Sequence, residues 1–295
     1  MCRLIAAVAA VLALPALAHD APGAVATMPG LRWSFDAWVV TLLAASAVFY
    51  AIGVRRLWRR AGRGRGITFG QAARFAAGWL VLCAALVSPI DTLGAELFSV
   101  HMLQHELLMV VAAPLLVLSR PLEAWTWALK PAWRKVPARI ARIDALHEAW
   151  RICSEPIGAW SLHAIAIWVW HVPVLFEAAL ADETVHITQH SCFLGSALFF
   201  WWSVFGRGAS RHGGASMASL FITMMHTSAL GALLTFAPTP WYAPYAQASV
   251  FGLSALEDQQ LGGLLMWVPG GIAYLVAGLA IVAAWLGPPT RHELR

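Results

Sequence analysis

From residue 34 onward the chain alternates long apolar stretches with short polar connections. Seven of these stretches approach or exceed the roughly 20 residues that a helix needs to cross a bilayer. They run over Ser34–Gly53, Ile67–Ser88, Leu97–Leu118, Ile157–Ala179, Val185–Phe205, Ser216–Ala237 and Gln260–Leu286. None shows the short strict alternation of a membrane β-barrel strand. The pattern predicts an all-α polytopic membrane protein, a seven-transmembrane helix bundle occupying residues 34–286. Pro114, Pro173 and Pro269 fall inside or near span ends and predict kinks there.

A separate, shorter apolar run precedes the bundle. Arg3 is followed by Leu4–Leu17 and then by Ala16-Leu17-Ala18, the pattern of a secretory leader and its cleavage site. Residues 1–18 are therefore expected to be a signal peptide, with residues 19–33 a periplasmic N-terminal segment. An uncleaved first helix is the alternative, although the run is short for a span. Cleavage after Ala18 would place a free amine beside the His19 imidazole, a pair able to chelate copper. The plain alternative is a chance histidine in a chain terminus.

Charge orients the bundle. All but Arg3, Arg32 and Arg74 of the 20 basic residues lie in the first, third and fifth connections or in the tail at 287–295. The positive-inside rule assigns those segments to the cytoplasm. The mature N-terminus then lies outside, in agreement with a cleaved leader, and the location expected is the bacterial inner membrane. Within the third connection Ile140, Ile143, Leu146 and Trp150 recur at helical spacing between arginines, which predicts an amphipathic helix lying on membrane lipid. The arginines of residues 59–66 likewise face anionic lipid rather than nucleic acid.

Composition agrees. The chain is 60% hydrophobic and 12% charged, against roughly 25% charged in a soluble domain. The four cysteines form no Cys-x-x-Cys pair and hence no readable disulfide framework or thiolate metal site. Gly-rich phosphate loops and nucleophile elbows are absent from the sequence, so no soluble-type enzyme activity is expected.

The candidate chemistry lies in the histidines. His101-Met102-Leu103-Gln104-His105 and His186-Ile187-Thr188-Gln189-His190 repeat one His-x-x-Gln-His pattern inside the third and fifth spans. Histidines four apart share a helix face, about 6 Å apart along the axis. Ionisable groups inside a membrane are costly without partners, so the pattern points to something held. With the topology above, both pairs fall in the outer half of their spans. His171 joins them near the outer end of the fourth span. His226, near the middle of the sixth, is either a further ligand or a packing residue. His163 lies deeper and reads as a helix-to-helix hydrogen bonder.

Neutral imidazole binds copper, zinc and iron. The methionines on the same helices would add soft ligands that suit Cu(I), unless they are core filler. Copper is the favoured ion, with zinc and haem iron behind it. The metal candidates are His101, His105, His171, His186, His190 and His226. Gln104 and Gln189 either orient imidazoles or bond across helices. Most of the 15 acidic residues, Glu96, Glu106, Glu177, Asp182, Glu183, Glu257 and Asp258 among them, fall on or near the outer side and suggest a rim that attracts cations. Asp258 also reads as an ordinary helix N-cap, and Gly262-Gly263 as a close helix contact.

These motifs resemble the CtaG family of multi-span cytochrome c oxidase assembly proteins. The matching elements are His101–His105 running into Ala113-Pro114-Leu115-Leu116-Val117-Leu118, Trp170-His171-Val172-Pro173, His186–His190, and Asp258-Gln259-Gln260-Leu261-Gly262-Gly263 with Met266-Trp267. The resemblance implies maturation of a haem–copper oxidase, with an oxidase subunit as partner and copper delivered to its buried centre. An unrelated single-span copper chaperone with a cysteine motif shares the family's name; this chain lacks that motif. Three other readings stay open beside it: a haem-binding quinol oxidoreductase, a cation transporter, and a structural chaperone without metal. A periplasmic copper donor is a further expected partner.

Overall fold

The computed structural model describes residues 31–206, 213–246 and 251–286. The expected signal peptide, His19, Arg207, Arg211 and the tail at 287–295 lie outside the described residues. Among the described residues the regular elements are helices, with no β-strand. Helix α1 spans Ala37–Ala61 and α2 spans Phe69–Leu86, the latter opened by a reciprocal cap between Thr68 and Gln71. A short helix α3, Pro89–Gly94, starts on Ser88 with proline at its first position. The third predicted span is α4, Phe98–Glu106, continuing through a π-helical stretch, Leu107–Ala112, into α5, Ala113–Leu118. Helices α6, Pro121–Ala128, α7, Val136–Ile140, and α8, Asp144–Ser154, occupy the long connection. Then come α9, Pro156–Trp170, α10, Pro173–Ala181, α11, Glu183–Phe205, α12, Gly213–Thr235, and α13, Ala255–Leu286.

The π stretch has a local cause. In the wider register the Met109 carbonyl would accept from residue 114, but Pro114 has no N–H. The indole Nε1 of Trp201 on α11 donates to that carbonyl instead, at 2.8 Å. A residue that the sequence marks as a kink thus becomes a link between two helices.

The fourth expected span, Ile157–Ala179, is two helices rather than one. Pro173 lacks an N–H and disfavours helical backbone at the residue before it, so Val172 is extended and α9 ends at Trp170. His171 sits in that break. The hydroxyl of Tyr242 donates to its carbonyl at 3.0 Å.

By length and composition, five helical runs among the described residues can cross a membrane: α1, α2, α4–α5, α12 and α13. Helices α8 and α9 form a sixth only if taken together, and they are bent by 75°. Helix α11 has 23 residues but carries Thr184, His186, Thr188, Gln189 and His190 in its first half, and is not among them. The bundle is apolar outside and keeps its intramembrane polar groups inside. Leu42, Phe49, Leu80, Phe221, Leu233 and Leu275 are exposed, whereas His101, Gln104, Gln189 and Asp258 are buried. That inversion suits lipid as the surrounding solvent.

Two of the three apolar cores among the described residues knit most of the bundle. One joins α4–α5, α9, α11, α12 and α13 around Phe200, Trp201 and Tyr274. The other joins α1, α2, α6 and the π stretch around Tyr50, Phe75 and Leu108. Helices α12 and α13 meet closely at Gly231 and Gly263, where a Cβ on Gly263 would stand 2.6 Å from the Gly231 carbonyl oxygen. On the long connection, α8 keeps Ile143, Leu146 and Trp150 exposed, and Arg151 bridges Glu148 and Glu155.

Candidate metal centre

The two His-x-x-Gln-His motifs come together. Helix α4 carries His101 and His105 with ring centroids 4.4 Å apart, and α11 carries His186 and His190 at 4.1 Å. Across the helices, His101 lies 5.5 Å from His186 and 6.0 Å from His190, and His105 lies 5.3 Å from His190. His171, from the break after α9, stands 6.2 Å from His105. Phe176 and Phe193 pack against the group. All five histidines are buried except His186, which is half-buried.

The ring nitrogens are poised as ligands. His171 Nδ1 donates to the Ile167 carbonyl at 2.6 Å, and His101 Nδ1 donates to the Gly94 carbonyl at 3.3 Å. A carbonyl only accepts, so each contact fixes the proton on Nδ1 and leaves an Nε2 lone pair. The Nε2 atoms of His101, His105, His171, His186 and His190 are shut off from solvent and have no hydrogen-bond partner. Buried polar atoms are as a rule hydrogen-bonded, and a bound ion is one way to satisfy such a group. One nitrogen each from His101, His186 and His190 lies within 4.8 Å of the other two. Nitrogens about 2.0–2.1 Å from a shared ion stand about 3.3–3.6 Å apart, so modest side-chain rotation closes the set.

Other expected ligands go elsewhere. His226 does not join the five: its Nδ1 accepts from the Trp168 indole at 3.3 Å, and its ring stands 6.3 Å from that of Trp160. His163 Nδ1 meets the Ser196 hydroxyl at 3.0 Å, the cross-helix role read from the sequence. Met102 packs with Phe98, Phe176 and Tyr242, Met109 and Met266 lie in the core around Phe200, and Met225 is exposed. The donor set is therefore imidazole. Gln104 bonds across the bundle, donating to the Ala85 carbonyl and to Asp91 Oδ1, both at 2.8 Å. Gln189 is fully buried next to His101.

The acidic residues divide by task. Asp258 is buried and caps α4, accepting from the Phe98 and Ser99 backbone amides at 2.6 and 3.1 Å. Asp182 caps α11 through Val185, Glu257 bonds Ser254, and Glu177 accepts from the Ala243 amide. Glu106 turns inward, its Oε2 2.9 Å from where a Cβ on Gly270 would stand. These carboxylates serve the fold rather than a rim. Sequence reasoning passed over the backbone carbonyls of Gly94 and Ile167, which carry no side-chain signal. It also passed over Tyr245, whose hydroxyl donates to the Gly94 carbonyl at 2.5 Å and lies 3.4 Å from His101 Nδ1. A cavity of about 910 Å³ between α1 and α2, at Tyr50, Arg55 and Trp58, has none of the histidines in its lining.

A helical membrane bundle with an imidazole cluster inside it is the class that fold and site define. The chain belongs to the family of cytochrome c oxidase caa3 assembly factors, whose model matches residues 48–287. It is 28% identical over 268 residues to uncharacterized proteins of Mycobacterium bovis and Mycobacterium tuberculosis, covering 86% of this chain and 39% of each relative. A Mycobacterium leprae relative is 26% identical over 275 residues, covering 89% of this chain and 41% of its own length. The chain thus spans about two fifths of the curated relatives it matches. No solved structure matches it.

Proposed function

We propose that the protein serves assembly of a haem–copper oxidase by holding a copper ion as cargo at His101, His105, His171, His186 and His190, then passing it to an oxidase subunit. The observation that carries this reading is the convergence of nitrogens from His101, His186 and His190 within 4.8 Å, with ring Nε2 atoms left without partners. An imidazole set accepts copper or zinc, and the oxidase family favours copper. Five imidazoles allow exchange of one ligand for another without releasing the ion, which is what a handover needs. A periplasmic donor would load the site. The positive-inside rule supports an inner-membrane placement with seven spans, the N-terminus outside and the C-terminus in the cytoplasm.

The packing around the cluster weighs against two of the rival readings. A haem needs an open slab between axial ligands, and here the imidazoles pack on one another and on Phe176 and Phe193. A transporter needs a polar way onward, and Phe193, Phe200 and Trp201 fill the core beside the site. Metal analysis of protein purified in mild detergent tests the proposal, together with its absorption spectrum. Wild-type protein is expected to take up copper and to show no Soret band. The His101→Ala/His105→Ala variant is expected to lose the copper but keep its fold, since the hydrogen bond removed, from His101 to the Gly94 carbonyl, is of a kind worth only about 0.6 kcal/mol in membranes. Cells carrying the variant should accumulate oxidase with haem but without its buried copper. A folded variant that supports fully copper-loaded oxidase overturns the copper role and leaves a structural chaperone.

A further inference from the structure

A cleft of about 300 Å³ opens between α1 and α11 and runs to the histidine cluster. Its walls are apolar, from Trp38, Leu43, Leu86 and Ile187 among others. Its polar lining is sharply one-signed: Asp36, Asp91 and Glu183, with His186 and His190 among its lining residues. Asp36 precedes α1 and Glu183 opens α11, and both are exposed. Asp36 makes no side-chain cap to its own helix. Asp91 is fixed in place, accepting from the Ser34 hydroxyl at 2.7 Å and from Gln104, which shares α4 with His101 and His105. A second observation ties the carboxylates to a ligand. His190 is 9% exposed and His186 half-buried, both line this cleft, and the Nε2 atoms of both have no partner.

The geometry points to this cleft as the gateway through which a cation reaches the histidines, with Asp36, Glu183 and Asp91 attracting it and His186 receiving it first. The inference rests on the cluster taking a metal ion. Three carboxylates over low-dielectric walls focus a negative potential into the cleft and raise the local cation concentration. Carboxylate is a poor match for a soft ion and imidazole a better one, so capture at the mouth is loose and transfer inward is favoured. His186 is the least buried of the five imidazoles and shares a helix face with His190, which stands 5.3 Å from His105. Asp182 and Asp258 are engaged in capping helices, whereas Asp36, Asp91 and Glu183 line the cleft.

Loading kinetics test the gateway. Cu(I) supplied as its acetonitrile complex is mixed rapidly with detergent-solubilised full-length protein, and uptake is followed at low and high ionic strength. The Asp36→Asn/Glu183→Gln variant is expected to load about tenfold more slowly at low salt. The gap should close at high salt, with final stoichiometry equal to wild type. Glu148→Gln/Glu155→Gln, on α8 and at the residue that follows it, removes the same charge outside the cleft and should load like wild type. Wild-type rates in the cleft variant, or an equal slowing in the α8 variant, overturn the gateway alone. A wild-type protein that takes up no Cu(I) overturns the copper reading and the gateway with it.

Discussion

Asp258, near the start of the last helix, caps the helix that carries the first histidine pair: its Oδ1 accepts from both the amide and the hydroxyl of Ser99, at 3.1 and 2.5 Å. A helix N-terminus leaves amides without intrahelical partners, and a carboxylate there also meets the favourable end of the helix dipole. Here the cap comes from 159 residues away in sequence. It locks α13 to α4 and so sets where His101 stands.

Replacing Asp258 with Asn should therefore act on the site through the fold. The amide nitrogen cannot accept, so one donor of the α4 N-terminus is left unpaired while buried. The expected loss is about 1–3 kcal/mol. A fall in thermal midpoint in detergent, with weakened copper retention, is the expected result. An unchanged midpoint would show that this cap does not hold α4.

Trp201→Phe tests the π stretch. The substitution keeps the aromatic bulk but removes the only side-chain donor among the described residues shown on the Met109 carbonyl. Destabilisation of about 1–3 kcal/mol is expected on denaturant titration, from the orphaned carbonyl. Trp202→Phe, one residue along, is the comparison and should cost less.

Orientation is open to chemical labelling. In a chain freed of its native cysteines, Glu96→Cys should react with a membrane-impermeant maleimide in intact cells. Lys135→Cys should react only after lysis. The reverse pattern would invert the topology and turn the gateway toward the cytoplasm.

The sequence alone determined the helical class, the membrane setting and most of the helix positions. These follow from the length and apolarity of contiguous runs, which the chain carries locally. It also singled out the two His-x-x-Gln-His faces, because a spacing of four fixes one helix side whatever the neighbours do. What only the tertiary structure decided is which faces meet. His171 enters the cluster because Pro173 breaks the helix beside it, whereas His226, equally intramembrane, turns to Trp168. The methionines, alike in sequence to candidate ligands, fall into cores or outward. Asp36 and Asp91 gain a shared cleft with Glu183, while Asp182 and Glu177 of the expected rim accept from backbone amides and Glu106 turns inward. Such choices depend on contacts between residues far apart in the chain, and hydropathy and spacing carry no record of them.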